Sequence, residues 1–330
     1  MGFADRFGRI HDELRISVTD RCNLRCTYCM PEEPTWFPRA EILSYEEIVK
    51  IVRILERRGV RRFRVTGGEP LLRRDLPRLI GMLAATPGVE ELSLTTNGLL
   101  LEKLARDLVA AGLQRINVSL DTLEPQRFRA LTRRDGLDRV LRGIDLVGEL
   151  GLRPVKVNTV LLKDVNDDEI LTLTAAARER GWELRFIEFM PLDNDGSWDP
   201  SRVVSGEEVR RRIESRWALE PDPDADPRAP ATRFLFADGR GAVGFINSVT
   251  MPFCSTCSRL RLTADGKLTT CIYAAEELDL KTPLRAGVGS EAIERLVEEA
   301  VTRKGRGGAL DIRDTRSALP LTRTMHQIGG

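Results

Sequence analysis

The sequence has 330 residues, of which 42% are hydrophobic and 31% charged, and its formal net charge is +1. A nearly neutral chain gives no electrostatic reason to expect binding to nucleic acid or to a membrane surface. No apolar run reaches the roughly 18 residues that a membrane-spanning helix needs, and the first residues contain no hydrophobic signal core. We therefore expect a cytoplasmic protein, built as one large α/β barrel with an extension or as about two domains.

Six strand-like apolar runs alternate with amphipathic, helix-like segments in the N-terminal part of the chain. The runs are 14–19, 63–66, 92–95, 116–120, 155–162 and 184–190. Repeated β–α units of this size predict a parallel sheet. Six units without a dinucleotide-binding fingerprint predict an α/β fold of the partial (β/α)6, TIM-barrel type. Polar residues follow most of these runs, at the end of the strands where barrel enzymes place their active sites.

The β–α alternation stops after residue 192. Segment 221–230 is rich in Pro and Asp, which indicates an exposed connection. Two later pairs of alternating runs flank Asp238-Gly239 and Asp265-Gly266, which are typical hairpin turns. We expect residues 1–192 to form the barrel and residues 193–330 to form an antiparallel extension that caps it.

The first group of cysteines is Cys22, Cys26 and Cys29, in a C-x3-C-x2-C spacing directly after the first strand-like run. Three thiolates this close together can hold one metal centre, but an ordinary cubane cluster or structural zinc site takes four. A complete set of three therefore leaves one metal atom with a free position for a substrate or cofactor. The spacing leaves open a zinc site completed by a distant ligand.

The second group is Cys254, Cys257 and Cys271, and it uses up the remaining cysteines of the six in the chain. In a reducing compartment, cysteines in two tight groups indicate metal binding rather than disulfides. The only two histidines, His11 and His326, lie near the termini. A zinc site with Asp or water as its fourth ligand stays open here, although the split into three and three favours two centres, each with a free position.

Cationic residues are placed where they would face these centres. Arg259 and Arg261 lie on one face of a strand beside the second cysteine group, because residues alternate along a strand. Arg15, Arg64 and Lys156 lie on predicted barrel strands. An unpaired cation inside a barrel is costly, so the set predicts a ligand with several negative charges, such as a triphosphate. The chain has no P-loop motif, so we expect side chains to hold any nucleotide.

From its first strand to its end, the chain carries a series of recognisable motifs in order. They are DELRISVTDRCNLRCTYCMP, RVTGGEPL, TTNG, VSLD, VKVNTV, FIEFMP, FCSTCSRLR, Cys271 and a terminal Gly-Gly. The C-x3-C-x2-C loop is the signature of radical S-adenosylmethionine (SAM) enzymes. The whole series resembles the GTP 3′,8-cyclase family, the radical SAM enzymes that begin molybdenum cofactor biosynthesis.

The resemblance implies two [4Fe–4S] clusters, one on each group of cysteines, and SAM as a cofactor of the first cluster. The residues implied to contact SAM are Tyr28, Gly68, Ser119 and Met190. Those implied to hold GTP are Arg15, Arg64, Thr95, Lys156, Arg259, Leu260 and Arg261. The terminal Gly329 and Gly330 are expected to reach into the active site, where their lack of side chains allows close approach.

The resemblance also implies a reaction and its partners. GTP would be converted to (8S)-3′,8-cyclo-7,8-dihydroguanosine 5′-triphosphate, which passes to cyclic pyranopterin monophosphate synthase. A reducing electron donor is implied, and a homodimer is expected. Two alternatives are weighed against this interpretation: another radical SAM enzyme with one auxiliary cluster, and a non-catalytic metal-binding interaction module.

Overall fold

A twelve-stranded sheet organises the computed structural model, which describes residues 2–192, 198–315 and 323–329. The strands are β1 (Phe3–Ala4), β2 (Ile10–His11), β3 (Glu13–Ser17), β4 (Arg62–Thr66), β5 (Glu91–Thr96), β6 (Arg115–Ser119), β7 (Lys156–Leu161), β8 (Glu183–Glu188), β9 (Leu219–Pro221), β10 (Thr232–Phe236), β11 (Ala242–Ile246), β12 (Arg259–Leu262), β13 (Lys267–Thr269) and β14 (Leu278–Asp279). β1 and β2 form a separate antiparallel pair, and the other strands make the large sheet.

Helices lie between and after the strands, and most of them bury their apolar residues in one core with the large sheet. They are α1 (Tyr45–Arg57), α2 (Leu76–Ala84), α3 (Leu101–Ala110), α4 (Pro125–Thr132), α5 (Leu137–Glu149), α6 (Ile170–Arg180), α7 (Gly206–Glu214), α8 (Lys281–Arg285), α9 (Ser290–Thr302), α10 (Gly308–Thr315) and α11 (Met325–Ile328). Within the described ranges, none of them has both the length and the apolar composition that crossing a bilayer requires.

The six central strands, β3 to β8, are parallel and lie side by side in chain order. This confirms the predicted α/β fold with six successive β–α units, and the predicted strand positions differ from the observed ones by one or two residues. Helix boundaries follow local signals. At the start of α1, the Ser44 hydroxyl accepts from the Glu47 amide at 3.1 Å and the Glu47 carboxylate accepts from the Ser44 amide at 2.7 Å.

The C-terminal hairpins extend the sheet at both of its edges. β10 and β11 pair antiparallel, as do β12 and β13, in agreement with the predicted turns. The structure adds a feature that the sequence did not predict: β11 pairs parallel with β8, and β12 pairs parallel with β3. The extension therefore shares the hydrogen-bonded sheet of the barrel and brings the second cysteine group to its edge.

Strand alternation separates the hydrophobic core from the interior of the half-barrel. On β3, Leu14 and Ile16 are fully buried in the same core as Ile48 and Leu55 of α1. Arg15, between them in sequence, projects to the other face and lines the interior cavity. The charged residues of the central strands can therefore surround a ligand while the helices bury the apolar ones.

Candidate active site

The first cysteine group lies in the loop that follows β3. The Arg25 guanidinium donates to the carbonyl oxygens of Cys22 and Leu24, both at 2.8 Å. These bonds fix the backbone of the loop around the Arg25 side chain. The Leu24 amide and the Asn97 side chain approach the Cys22 sulfur at 3.4 and 3.8 Å. Such N–H groups stabilise negative charge on sulfur, as a metal-bound thiolate requires.

The chemistry of this donor set fits an iron–sulfur cluster. Burial, followed by the charge of Glu69, raises the pKa of Cys22 to about 11, and burial raises the pKa of Cys29 to about 12. The Cys26 pKa is also raised by burial, and then by the neighbouring thiolate of Cys29. Thiols with raised pKa values lose their protons only when a positive centre, such as a metal, binds among them.

Among the described residues, no three His, Cys, Asp or Glu side chains lie close enough together to hold one metal ion. A cubane cluster binds each thiolate to a different iron, so its three thiolates need not converge on one point.

The Thr66-Gly67-Gly68-Glu69 loop after β4 packs directly on the first cysteine loop. The Gly68 amide donates to the Thr19 carbonyl oxygen at 2.8 Å. A Cβ atom on Gly68 would lie 2.5 Å from the carbonyl oxygens of Asp20 and Arg21, which is too close. Glycine is therefore required here because two backbone segments touch.

Glu69 ties this loop to the end of β5. Its carboxylate accepts from the Thr96 hydroxyl and the Asn97 amide, both at 2.7 Å, and from the Leu71 amide at 2.9 Å. Burial raises the pKa of Glu69 to about 7 despite these donors. Sequence reasoning did not name Glu69 or Asn97 as functional residues, although both lie in quoted motifs at strand ends.

The residues expected to contact SAM lie around the first cysteine loop and the strand ends beside it. The Tyr28 hydroxyl donates to Asp121 Oδ2 at 2.5 Å, and Asp121 Oδ1 accepts from the Val160 amide. Burial raises the pKa of Asp121 to about 6. Ser119 ends β6, and Met190 follows β8 and lines the interior cavity. Asp121 follows Ser119 in the VSLD motif, among the polar residues at strand ends, but sequence reasoning assigned it no role.

The second cysteine group opens into the interior of the half-barrel. Cys254 and Cys257 lie in a short turn before β12, and Cys271 follows β13. All three line a cavity of about 160 Å³ together with Thr95, from β5 of the barrel. The cavity also contains most of the predicted GTP contacts on neighbouring strands: Arg15, Arg64, Arg259 and Arg261.

Three arginines form a row across adjacent strands. Arg261 on β12 is in register with Arg15 on β3, which is in register with Arg64 on β4. Burial and the neighbouring charge of Arg261 lower the pKa of Arg15 well below its ordinary value. Within the described structure, Arg64 Nε and Asn158 Oδ1 are buried without a hydrogen-bond partner. Arg261 is buried and Arg15 and Arg64 are largely buried, so a row of mutually repelling cations with an orphan donor fits a polyanionic ligand.

Glu13 partly balances this row. Its carboxylate lies 3.3 Å from Arg15 Nε and 3.7 Å from Arg64 Nε. Burial would raise the pKa of Glu13, but the charges of Arg15 and Arg64 outweigh it and lower the pKa to about 2. One carboxylate between two guanidiniums leaves net positive charge. Sequence reasoning missed Glu13, because nothing local distinguishes it from an ordinary strand-end carboxylate.

A second cavity, of about 410 Å³, lies at the other end of the central strands. The first residue of each strand from β3 to β8 lines it, and these six residues are Glu13, Arg62, Glu91, Arg115, Lys156 and Glu183. Arg64 lines both cavities. Burial, followed by the charge of Arg185, lowers the pKa of Lys156 to about 8. Lys156 therefore belongs to the far end of the interior, away from the second cysteine group.

Leu260 does not share the position of its neighbours. Its side chain is fully buried in the hydrophobic core, on the opposite face of β12 from Arg259 and Arg261. The Leu260 side chain therefore does not line the cavity, and the expected contact between residue 260 and GTP, which would come from its backbone, stays a prediction. The physical reason is the two-residue alternation of a strand.

The end of the chain enters the same region. Arg261 donates to the Gly329 carbonyl oxygen at 2.5 Å. Gly329 has a φ of +84°, and a Cβ atom there would lie 2.8 Å from Thr66 Cγ2 and 3.2 Å from Ser17 Cβ. Gly329 therefore sits at the C-terminal ends of β3 and β4, beside the first cysteine loop. Gly330 lies outside the described residues.

Two sequence families match successive parts of the chain. Residues 16–177 match the Radical SAM superfamily, and residues 182–309 match the family described as Molybdenum Cofactor Synthesis C. Among solved structures, that of Streptococcus suis SuiB bound to S-adenosylmethionine has a TM-score of 0.58 and 16% identity, covering 86% of this chain and 68% of that one. At that identity the likeness concerns the fold alone.

Curated relatives are much closer in sequence. The GTP 3′,8-cyclase of Acidothermus cellulolyticus is 48% identical, covering 91% of this chain and 84% of that protein. The GTP 3′,8-cyclase of Rhodopirellula baltica is 45% identical, with coverage of 100% and 92%. The mitochondrial GTP 3′,8-cyclase of Arabidopsis thaliana is 42% identical, with coverage of 99% and 83%. With these relatives and the radical SAM match over its barrel, the chain belongs to the GTP 3′,8-cyclase family of radical SAM enzymes.

Proposed function

We propose that this protein is a radical SAM cyclase that converts GTP to (8S)-3′,8-cyclo-7,8-dihydroguanosine 5′-triphosphate, the first step of molybdenum cofactor biosynthesis. Family membership supports the reaction. The structural observation that carries it is the shared interior: the second cysteine group and a row of largely buried arginines open into one cavity of the half-barrel. Nucleotide and second cluster can meet in such an interior.

Cys22, Cys26 and Cys29 are proposed to hold a [4Fe–4S] cluster with one iron left for SAM. Gly68, Tyr28, Ser119 and Met190 are proposed to contact SAM, with Asp121 orienting the Tyr28 ring through its hydroxyl. Bound together, cluster and SAM supply one-electron radical chemistry. The protein fixes where that chemistry can act and keeps water away from it.

Cys254, Cys257 and Cys271 are proposed to hold a second [4Fe–4S] cluster that presents the guanine ring. We thus propose that the chain carries two clusters. Burial would raise the pKa of Cys257, but Arg259 and Lys304 outweigh it and lower the pKa to about 6. A thiol with such a pKa is ready to bind metal at neutral pH.

GTP is proposed to lie along the arginine row. Thr95, Arg259 and Arg261 would hold the end near the second cysteine group, and Arg15, Arg64 and Lys156 would continue along the interior. The triphosphate brings the negative charge that these buried cations lack. Leu260 contributes its strand backbone, which keeps Arg259 and Arg261 on one face.

The Gly329-Gly330 tail is proposed to complete the site. The contact between Gly329 and Arg261 supports this, because it joins the tail to the arginine row. We further propose that residues 1–192 act as the radical SAM barrel and residues 193–330 as the GTP-presenting extension. The enzyme is proposed to act in the cytoplasm as a homodimer, to take electrons from a reducing donor, and to pass its product to cyclic pyranopterin monophosphate synthase.

The test is a strictly anaerobic assay of reconstituted protein with SAM, dithionite and GTP. We expect about eight irons and eight sulfides per chain, from two four-iron clusters. We also expect 5′-deoxyadenosine to form only when GTP is present, together with the cyclised nucleotide. SAM cleavage at the same rate with and without GTP would indicate a different radical SAM reaction. Protein that carries only zinc would favour the interaction module.

A further inference from the structure

The second cysteine group is supported by a cationic layer built from both ends of the chain. Lys304, just beyond α9, is 4% exposed. Its ammonium group lies 3.8 Å from the Cys257 sulfur and 3.4 Å from the Arg259 carbonyl oxygen. Arg9, from the turn before β2, is also buried. Both residues line the interior cavity, but neither is among the proposed cluster ligands or the proposed contacts to SAM and GTP.

Arg9 binds the backbone on both sides of this layer. Its guanidinium donates to the carbonyl oxygens of Cys254 at 2.7 Å, Gly305 at 2.7 Å and Arg306 at 2.8 Å. Its Nε donates to the buried carboxylate of Asp5 at 2.6 Å, which fixes the guanidinium plane. One side chain near the N-terminus thus holds segment 304–307 against the turn that carries Cys254.

The packing between this segment and the turn is tight. Gly307 has a φ of +134°, and a Cβ atom there would lie 2.6 Å from both Cβ and Sγ of Cys254. The backbone of 305–307 therefore shields Cys254 from the outside, and Lys304 is held beside Cys257 with little freedom to move. A buried cation fixed near a thiolate acts on any cluster that the thiolate binds.

We propose that Lys304 and Arg9 are positioning residues for the second cluster, with Lys304 setting its reduction potential and Arg9 holding the enclosing segment in place. The inference rests on the proposed function, in that it takes Cys254, Cys257 and Cys271 as cluster ligands. Reduction adds one negative charge to a cluster, and net charge and hydrogen bonds to sulfur set cluster potentials. The ammonium of Lys304 stabilises the reduced form and raises the potential.

The test isolates the second cluster in the full-length chain. The parent variant replaces Cys22, Cys26 and Cys29 with Ser, so that any remaining cluster belongs to the second group. Lys304→Met is then added, which keeps the length of the side chain and removes its charge. Lys304→Arg keeps the charge. The matched control is Arg303→Met, because Arg303 is the exposed neighbour and pairs with Glu299 on the outer surface of α9.

The readouts are iron and sulfide content and an anaerobic redox titration followed by electron paramagnetic resonance. We expect the potential to become more negative in Lys304→Met, to stay close to the parent in Lys304→Arg, and to be unchanged in Arg303→Met. Loss of the cluster from Lys304→Met but not from Lys304→Arg also supports the charge role. An unchanged potential in Lys304→Met, or equal effects of Met and Arg, overturns it.

Arg9 has its own prediction in the same parent. Arg9→Lys keeps the charge but has three N–H donors, too few for the three carbonyl oxygens and the Asp5 carboxylate together. We therefore expect second-cluster iron to be lost on dilution faster than from the parent. If Arg9→Lys retains second-cluster iron as well as the parent does, the role proposed for Arg9 is wrong. If the parent itself holds no cluster, the proposed function fails at the second group, a result distinct from the failure of this inference.

Discussion

Arg261 donates a hydrogen bond to the carbonyl oxygen of Gly329 at 2.5 Å, so the arginine row that lines the interior also holds the end of the chain. The same guanidinium is in register with Arg15 on the neighbouring strand. The proposed contact to GTP and the position of the glycine tail thus depend on one side chain.

Arg261→Ala should weaken GTP binding and leave the first cluster intact. A hydrogen bond to a charged group contributes about 1.5–3 kcal/mol, so we expect the dissociation constant of GTP to rise about 10- to 100-fold. Anaerobic equilibrium binding measures this, and iron analysis checks the clusters. Arg53→Ala, on the exposed side of α1, is the control and should bind GTP normally. Loss of the first cluster in Arg261→Ala would contradict the separation of the two sites.

Cys22→Ser should abolish SAM cleavage, because the first cluster loses one of its three anchors. About half of the iron should remain, on the second group of cysteines. Cys254→Ser should instead remove the second cluster while SAM is still cleaved slowly and without cyclisation. Iron analysis and chromatography of 5′-deoxyadenosine measure both effects. The same phenotype in both variants would mean that the two groups do not hold separate centres.

Gly68→Ala should disrupt the first cysteine loop. The added Cβ would lie 2.5 Å from two carbonyl oxygens of that loop, and relieving such overpacking typically costs about 1–3 kcal/mol. We expect lower stability and reduced first-cluster iron. Gly289→Ala is the matched control, because its φ is −62° and no atom lies within 4 Å of the position that an added Cβ would take. Full iron content in Gly68→Ala would show that the loops are free to separate.

His326 should make the protein less stable as the pH falls. Burial, followed by the charge of Arg25, lowers the pKa of His326 to about 4, from an ordinary value of 6.5. Between these values the unfolded chain binds a proton that the folded chain does not, so stability is present above pH 6.5 and is lost as the pH falls toward 4. At pH 5.5 the loss is about 1 kcal/mol, from about 1.4 kcal/mol per unit.

The measurement compares thermal unfolding at pH 7.5 and pH 5.5, under anaerobic conditions, for the native chain and His326→Asn. The variant should lose less stability between the two pH values. His11, whose pKa is also lowered to about 4 by burial and by Lys304, remains in both proteins and cancels in the comparison. An identical pH dependence in the two proteins would show that His326 titrates normally.

The sequence was most informative where structure is local. Alternating apolar residues predicted the six central strands, and Asp238-Gly239 and Asp265-Gly266 predicted the hairpins, because strands and turns are encoded by adjacent residues. The cysteine spacings identified both groups. Gly68 was expected to matter for SAM, and the structure adds a different requirement, its contact with the backbone of Asp20 and Arg21.

Long-range pairings could not be predicted in the same way. Nothing near Arg259 indicates that β12 pairs with β3, almost 250 residues earlier in the chain. Arg9 and Lys304 come together from opposite ends of the sequence, and each by itself resembles an ordinary surface cation. Glu13 likewise becomes notable only once Arg15 and Arg64 are seen on either side of it.

The pairing of late strands with both sheet edges has a consequence for biosynthesis. A ribosome that has translated β3 to β8 has produced a half-barrel whose outer strands still lack the neighbours supplied by β11 and β12. The unpaired backbone groups of exposed edge strands can pair with other chains and cause aggregation. A polypeptide that stops before residue 242 is therefore an aggregation hazard rather than a smaller enzyme. Both outer strands of the nascent half-barrel gain their neighbours only once β12 has been made.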